Sequence, residues 1–79
     1  MKFSVIKKID YELLKKNIDI YESANGEVPY IFMNKDTIKA IEEYILSFIA
    51  EDRDYKTDMI YGCLLYCNNS LEFGEVELR

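Results

Sequence analysis

Apolar residues recur along this chain in two rhythms. Leu14, Ile18 and Tyr21 follow one another at spacings of four and three, with Leu13 beside them, which puts an apolar stripe along one side of a helix. Asp10 offers an N-cap and Asn25-Gly26 a stop, so the first helix is predicted over residues 10–24. Ile38, Ile41, Ile45, Phe48 and Ile49 repeat the helical spacing, with Lys39, Glu42 and Glu43 on the opposite, solvated face. A second helix is predicted there, over residues 35–50, with Asn34 or Asp36 as its cap.

The second rhythm is that of strands. In residues 2–8, Phe3 and Val5 alternate with Ser4 and Ile6, a short strand pattern. Residues 28–33 form a nearly continuous apolar run, which predicts a strand buried on both faces, with Pro29 at its beginning. Residues 51–58 carry charge without an apolar period and are expected to form a surface loop. Residues 59–67 are again apolar at both parities and predict a central strand. Asn68-Asn69-Ser70 makes a turn, Gly74 breaks the chain, and the alternation in residues 75–79 predicts a half-exposed edge strand.

The order β-α-β-α-β-β defines an α/β (α+β) fold, a single small domain over residues 1–79. Two helices would pack on a small mixed sheet whose centre is formed by the strands starting near Val28 and Met59. Seventy-nine residues leave no room for a second domain, and a stability of about 4–12 kcal/mol is expected. With 49% hydrophobic residues, 3 Gly and 1 Pro, the chain has enough apolar material for a core.

Charge then narrows the partners. Fifteen acidic against ten basic residues and no histidine give −5, which repels nucleic-acid backbone and anionic lipid. No apolar segment reaches the ~20 residues that span a bilayer. Cys63 and Cys67, four apart in a strand, are separated by roughly 13 Å, too far for a disulfide. Free thiols and a start without a secretory apolar region lead to the expectation of a soluble, cytoplasmic protein. The acceptor-like Asn68-Asn69-Ser70 then carries no sugar.

Catalytic chemistry is thin. Without histidine the usual general base, the Ser-His and Cys-His pairs and the commonest metal ligand are missing, so no catalytic residue is assigned and the chain is expected not to be an enzyme. Asp52 and Asp54 open like a calcium loop, but Lys56 occupies the third ligand position, Thr57 the place of the required Gly, and Cys63 that of the closing Glu. Cys63 and Cys67 lack the further soft partners that zinc needs. Gly26, Gly62 and Gly74 are isolated, so no loop cradles a phosphate. No metal or other cofactor is expected. Tyr11, Tyr21, Tyr44 and Tyr55 exceed what so small a core can hold, and partly exposed tyrosines suit protein interfaces. Glu42, Glu43, Glu51, Asp52, Asp54 and Asp58 would gather at the end of the second helix and its loop, an acidic patch suited to a basic partner. Tyr44 and Tyr55 belong to the same candidate surface.

From Leu13 onward the order of signals resembles the axial domain of the Hong-Kong-type major capsid proteins of tailed phages, a fold shared with encapsulins. Asn25-Gly26, then Tyr30-Ile31-Phe32-Met33-Asn34 and Lys35-Asp36-Thr37-Ile38 match a helix, a glycine turn, an apolar strand ending in Met-Asn and an immediate second helix. Residues 60–67, then Leu71, Gly74 and the closing strand, are similar to that family's ending. The family's long N-terminal arm, extended loop, spine helix and peripheral domain have no counterpart here, and those parts make the shell contacts. The resemblance therefore implies a phage- or prophage-type interaction protein, working in head assembly or on one protein partner, with homo-oligomers formed through exposed strand edges such as residues 75–79. The alternative is a small acidic inhibitor of a basic host nucleic-acid enzyme, of anti-restriction or anti-CRISPR type, with carboxylates in place of phosphates. Acid–base catalysis by carboxylates alone ranks last, because their spacing forms no pair.

Overall fold

Asp10 starts the first helix as its side chain predicts. In the computed structural model, which describes residues 1–5, 10–46 and 58–79, α1 runs over Tyr11–Asn25. The Asp10 backbone is extended, and its carboxylate accepts the Leu13 N–H at 3.0 Å. That bond satisfies one of the four donors a helix start leaves open. Gly26 ends α1 in the left-handed conformation (φ 71°) and gives its N–H to the Glu22 carbonyl at 2.8 Å. The second helix, α2, is Lys35–Leu46, and of its two candidate caps Asn34 is the one used: its Oδ1 accepts the Thr37 N–H at 2.7 Å.

Five strands are present among the described residues: β1 (Lys2–Ser4), β2 (Ile31–Met33), β3 (Met59–Ile60), β4 (Cys63–Cys67) and β5 (Glu75–Leu78). They form one mixed sheet in the order β1-β5-β2-β4-β3. β2 pairs in parallel with β4, with Phe32 opposite Tyr66, and antiparallel with β5, with Phe32 opposite Glu77. The parallel pair needs a crossover, and α2 lies within it.

Side-chain parity sorts the sheet into two faces. Ile31 and Met33 of β2, Val76 and Leu78 of β5 and Cys63 of β4 are buried in one cluster with Leu14 and Ile18 of α1 and Ile41 of α2. Both helices therefore cover the same face, giving a two-layer α+β domain. Each fully buried Leu or Ile in this layer contributes about 1.5–3 kcal/mol by leaving water. The helical stripes agree with their sequence pattern: Leu14 and Ile18 are buried, Leu13, Tyr21 and Ile38 pack against the cluster, and Lys39 and Glu43 are exposed.

Four expectations are corrected. Residues 59–67 are a hairpin of β3 and β4 instead of one central strand, so the element order gains a strand. Tyr61 (φ 51°) and Gly62 (φ 78°) both take positive φ, the two-residue geometry that matches the twist of paired strands. Only β2 is central by position, and β4 is separated from the sheet's margin by β3. Residues 28–33 are not buried on both faces: the strand is confined to Ile31–Met33, Phe32 is half-buried, and Val28 and Tyr30 are exposed. Finally, β5 is not an edge strand, because β1 and β2 flank it and both of its sides are hydrogen-bonded. The edges are β1 and β3, so residues 75–79 offer no free ladder for pairing. The predicted extensions of the first strand to residue 8 and of the second helix to residue 50, and all of the predicted 51–58 loop except Asp58, fall on residues outside those described.

Candidate functional site

The face of the sheet opposite the helices is built from alternate residues of β2 and β4 and from their neighbours. Tyr30, just ahead of β2, continues its pairing: its N–H donates to the Arg79 carbonyl at 2.8 Å, and the Arg79 N–H returns to the Tyr30 carbonyl at 3.1 Å. Parity places Tyr30, Phe32, Leu64 and Tyr66 on this outer face, with Met59 opposite Leu64 on β3. Tyr30, Leu64, Tyr66 and Met59 are each 41–52% exposed. At about 100 Å² apiece they make an apolar patch of roughly 400 Å², within the range in which the largest patch of a monomer is often functional.

The rings are held in place by one another. Tyr66 stacks on Phe32 with centroids 5.6 Å apart and meets Tyr30 edge-on at 5.8 Å. Such pairs contribute about 0.5–1.5 kcal/mol beyond their area, and they fix the ring orientations before anything binds. The Arg79 guanidinium lies 4.6 Å from the Phe32 centroid, on the flank nearer β5. Its Nη2 and Nε both donate to Glu77 Oε1, at 2.7 and 3.0 Å. Those hydrogen bonds hold the Glu77 carboxyl below the usual carboxylate range, helped by the positive charges of Arg79, Lys2 and the N-terminus and opposed by burial. Lys2 reaches Glu75 at 3.8 Å. The charged part of the face, over β5 and β1, thus carries two ion pairs, while the part over β2, β4 and β3 is aromatic and aliphatic. This arrangement can bury and stack.

Of the acidic residues singled out in the sequence, three are described. Glu42, half-buried, and Glu43, exposed, are on α2, and Asp58, exposed, precedes β3, where its carbonyl accepts the Leu65 N–H at 3.0 Å. Glu51, Asp52, Asp54 and Tyr55 lie outside the described residues, as does the side chain of Tyr44. The described carboxylates lie on α2 and in the segment that leads into β3. Tyr11 and Tyr21 pack against the core, and Tyr11 meets Tyr61 edge-on at 6.1 Å. Among the described residues no group of three or more His, Cys, Asp or Glu is placed to hold a metal ion, and no helix is long and apolar enough to cross a membrane.

Tyr30, Phe32, Leu64, Tyr66 and Arg79 were missing from the predicted site. The signal was present: aromatic residues at 30 and 32, and Leu64 and Tyr66 two apart, put bulky groups with polar tips at one parity of each run. A continuous apolar run conceals that parity unless the tyrosines are read as outward-facing.

No family model, no curated protein and no solved structure matches this chain.

Proposed function

We propose that this is a non-enzymatic binding module that works by protein–protein interaction through the open face of its sheet. The observation that carries the proposal is the ring cluster of Tyr30, Phe32 and Tyr66, half-exposed yet fixed by mutual contact. Pre-oriented aromatic groups lose little entropy on binding and are favoured at the centres of protein interfaces. Absence of histidine from the chain supports a role without catalysis. Two free cysteines, Cys63 buried and Cys67 exposed, support a cytoplasmic setting. Residues 25–38 and 60–78, on which the resemblance to the capsid axial domain rests, support phage head assembly as the context in which such a module would act.

The test is a photo-crosslinking amino acid placed at position 66 in cells, with the same probe at Lys16 on the outer side of α1 as the control. One reproducible protein adduct at position 66, identified by mass spectrometry and absent at position 16, is the expected result. Adducts equal at both positions, in protein shown to be folded, would overturn the proposal.

A further inference from the structure

We infer that the open sheet face is the contact between two copies of this chain. The inference rests on the interaction reading above and names the partner within it: a second copy, related by a two-fold axis.

Charge carries the first part. Among the described residues Lys2 and Arg79 balance Glu75 and Glu77 on this face, so the face is neutral in a chain whose formal charge is −5. Contacts between like-charged surfaces of two copies bring net charge together. Two open faces bring none, because each cation is already held by a carboxylate of its own chain, Arg79 on Glu77 at 2.7 Å and Lys2 on Glu75 at 3.8 Å.

Layout carries the second part. The apolar part lies over β2, β4 and β3 and the ion pairs over β5 and β1, as the strand order requires. A two-fold axis near Leu64 and Tyr66 lays the apolar part of one copy on that of the other and leaves the four charges at the rim. An isologous contact needs this arrangement of self-complementary centre and polar border. Two sheets in such contact pack about 10 Å apart.

Area and edges carry the third. The apolar centre, roughly 400 Å² on each copy, gives about 800 Å² in all, and the charged rim brings the contact toward about 1,000 Å², the size of the smallest specific interfaces and an area suited to weak, micromolar pairing. Edge-to-edge pairing offers less, since β3 has two residues and β1 three, and β5 has no open side.

The experiment is sedimentation equilibrium of the full chain from about 5 to about 500 µM, at low and at high salt. The expected result is a mass rising from that of one chain to that of two, with a midpoint that changes less than about threefold in ~0.5 M NaCl because the buried centre is uncharged. Leu64→Lys, on a side chain 41% exposed, should raise the dissociation constant more than about tenfold while circular dichroism is unchanged. Tyr30→Glu repeats the test on the neighbouring strand, and Lys16→Glu, on the outer side of α1, leaves the midpoint alone. A wild-type chain that stays monomeric throughout, or a dimer that neither Leu64→Lys nor Tyr30→Glu weakens, overturns the inference. A monomer that still forms a crosslink from position 66 to another protein overturns self-pairing alone and leaves the interaction module standing.

Discussion

Thr37 and Gly74, 37 residues apart in sequence, meet in a buried hydrogen bond: the Gly74 N–H donates to Thr37 Oγ1 at 2.9 Å. The same hydroxyl donates to Asn34 Oδ1 at 2.7 Å, so one buried side chain joins the α2 cap to the connection between β4 and β5. Asn34 Nδ2 adds a bond to the Leu71 carbonyl at 3.2 Å, and Asn69 Oδ1 accepts the Lys35 N–H at 3.0 Å. The start of the helix and the turn before the last strand are thereby one hydrogen-bonded unit.

Thr37→Val keeps the shape of the side chain and removes both bonds, leaving the Gly74 N–H buried without an acceptor. The expected loss is about 1–3 kcal/mol, seen as a melting temperature lower by about 5 °C or more. Thr37→Ser retains the hydroxyl and should lose less. Equal melting of the wild-type and Thr37→Val proteins would show that the bond is not needed.

Gly62 holds φ 78° in the β3–β4 turn, and a Cβ placed there meets nothing within 4 Å. The cost of Gly62→Ala is therefore one of backbone conformation alone, about 1 kcal/mol. Chemical denaturation should show the midpoint falling with an unchanged slope.

The two thiols should differ in reactivity. Cys67 is exposed, whereas Cys63 is buried. Burial pushes the Cys63 thiol up from its ordinary value, and the Glu22 carboxylate adds to the shift, so little thiolate forms at neutral pH. One thiol per chain should react rapidly with an aromatic disulfide reagent in native protein, and the second only as the protein unfolds. In a Cys67→Ser variant the remaining thiol then reports unfolding directly. Rapid reaction of that variant in native conditions would contradict the buried position.

Acid should weaken the Glu77–Arg79 pair. The Glu77 pKa is lowered on folding, so the folded state binds its proton less readily than the unfolded chain. The resulting stabilisation is present above the ordinary carboxylate range and fades as pH falls through the lowered folded value. Glu77→Gln removes this contribution. The melting-temperature gap between wild type and Glu77→Gln should therefore be open at pH 7 and narrow progressively below about pH 4.5. A gap independent of pH would mean that the carboxylate charge does not contribute.

The helices were legible because their signals are local. Asp10, three residues before Leu13, and Gly26, four after Glu22, specify the two ends of α1 whatever surrounds it. Strand position is different. The alternation of Glu75, Val76, Glu77 and Leu78 records one wet face and one dry face, and in a two-layer domain an interior strand shows that pattern as readily as an edge strand. Which strands flank β5 depends on β1 and β2, more than forty residues away. The hairpin within residues 59–67 was concealed because Tyr61, unlike Asn or Gly, is an unusual residue for a positive φ.

The candidate face was obscured for a related reason. Tyr30, Phe32, Leu64 and Tyr66 share their strands with inward residues just as apolar, so composition alone could not tell a doubly buried strand from one whose outer side is aromatic. The acidic cluster, by contrast, was conspicuous as a run of charge; of its members Glu42 and Glu43 lie on α2 and Asp58 just ahead of β3, and the rest fall outside the described residues.

The pairing of Lys2 with Glu77 also sets a schedule. The first strand to be synthesised finds its partner only in the last, and β2 at the centre of the sheet lacks both neighbours until residues 63–78 exist. Helix α1 can form as it emerges from the ribosome, but the sheet cannot, and its closure must bridge nearly the whole chain in one long-range step. A nascent chain from which residues 75–78 have not yet emerged would therefore display helices on an incomplete sheet, which closes only when β5 becomes available to β1 and β2.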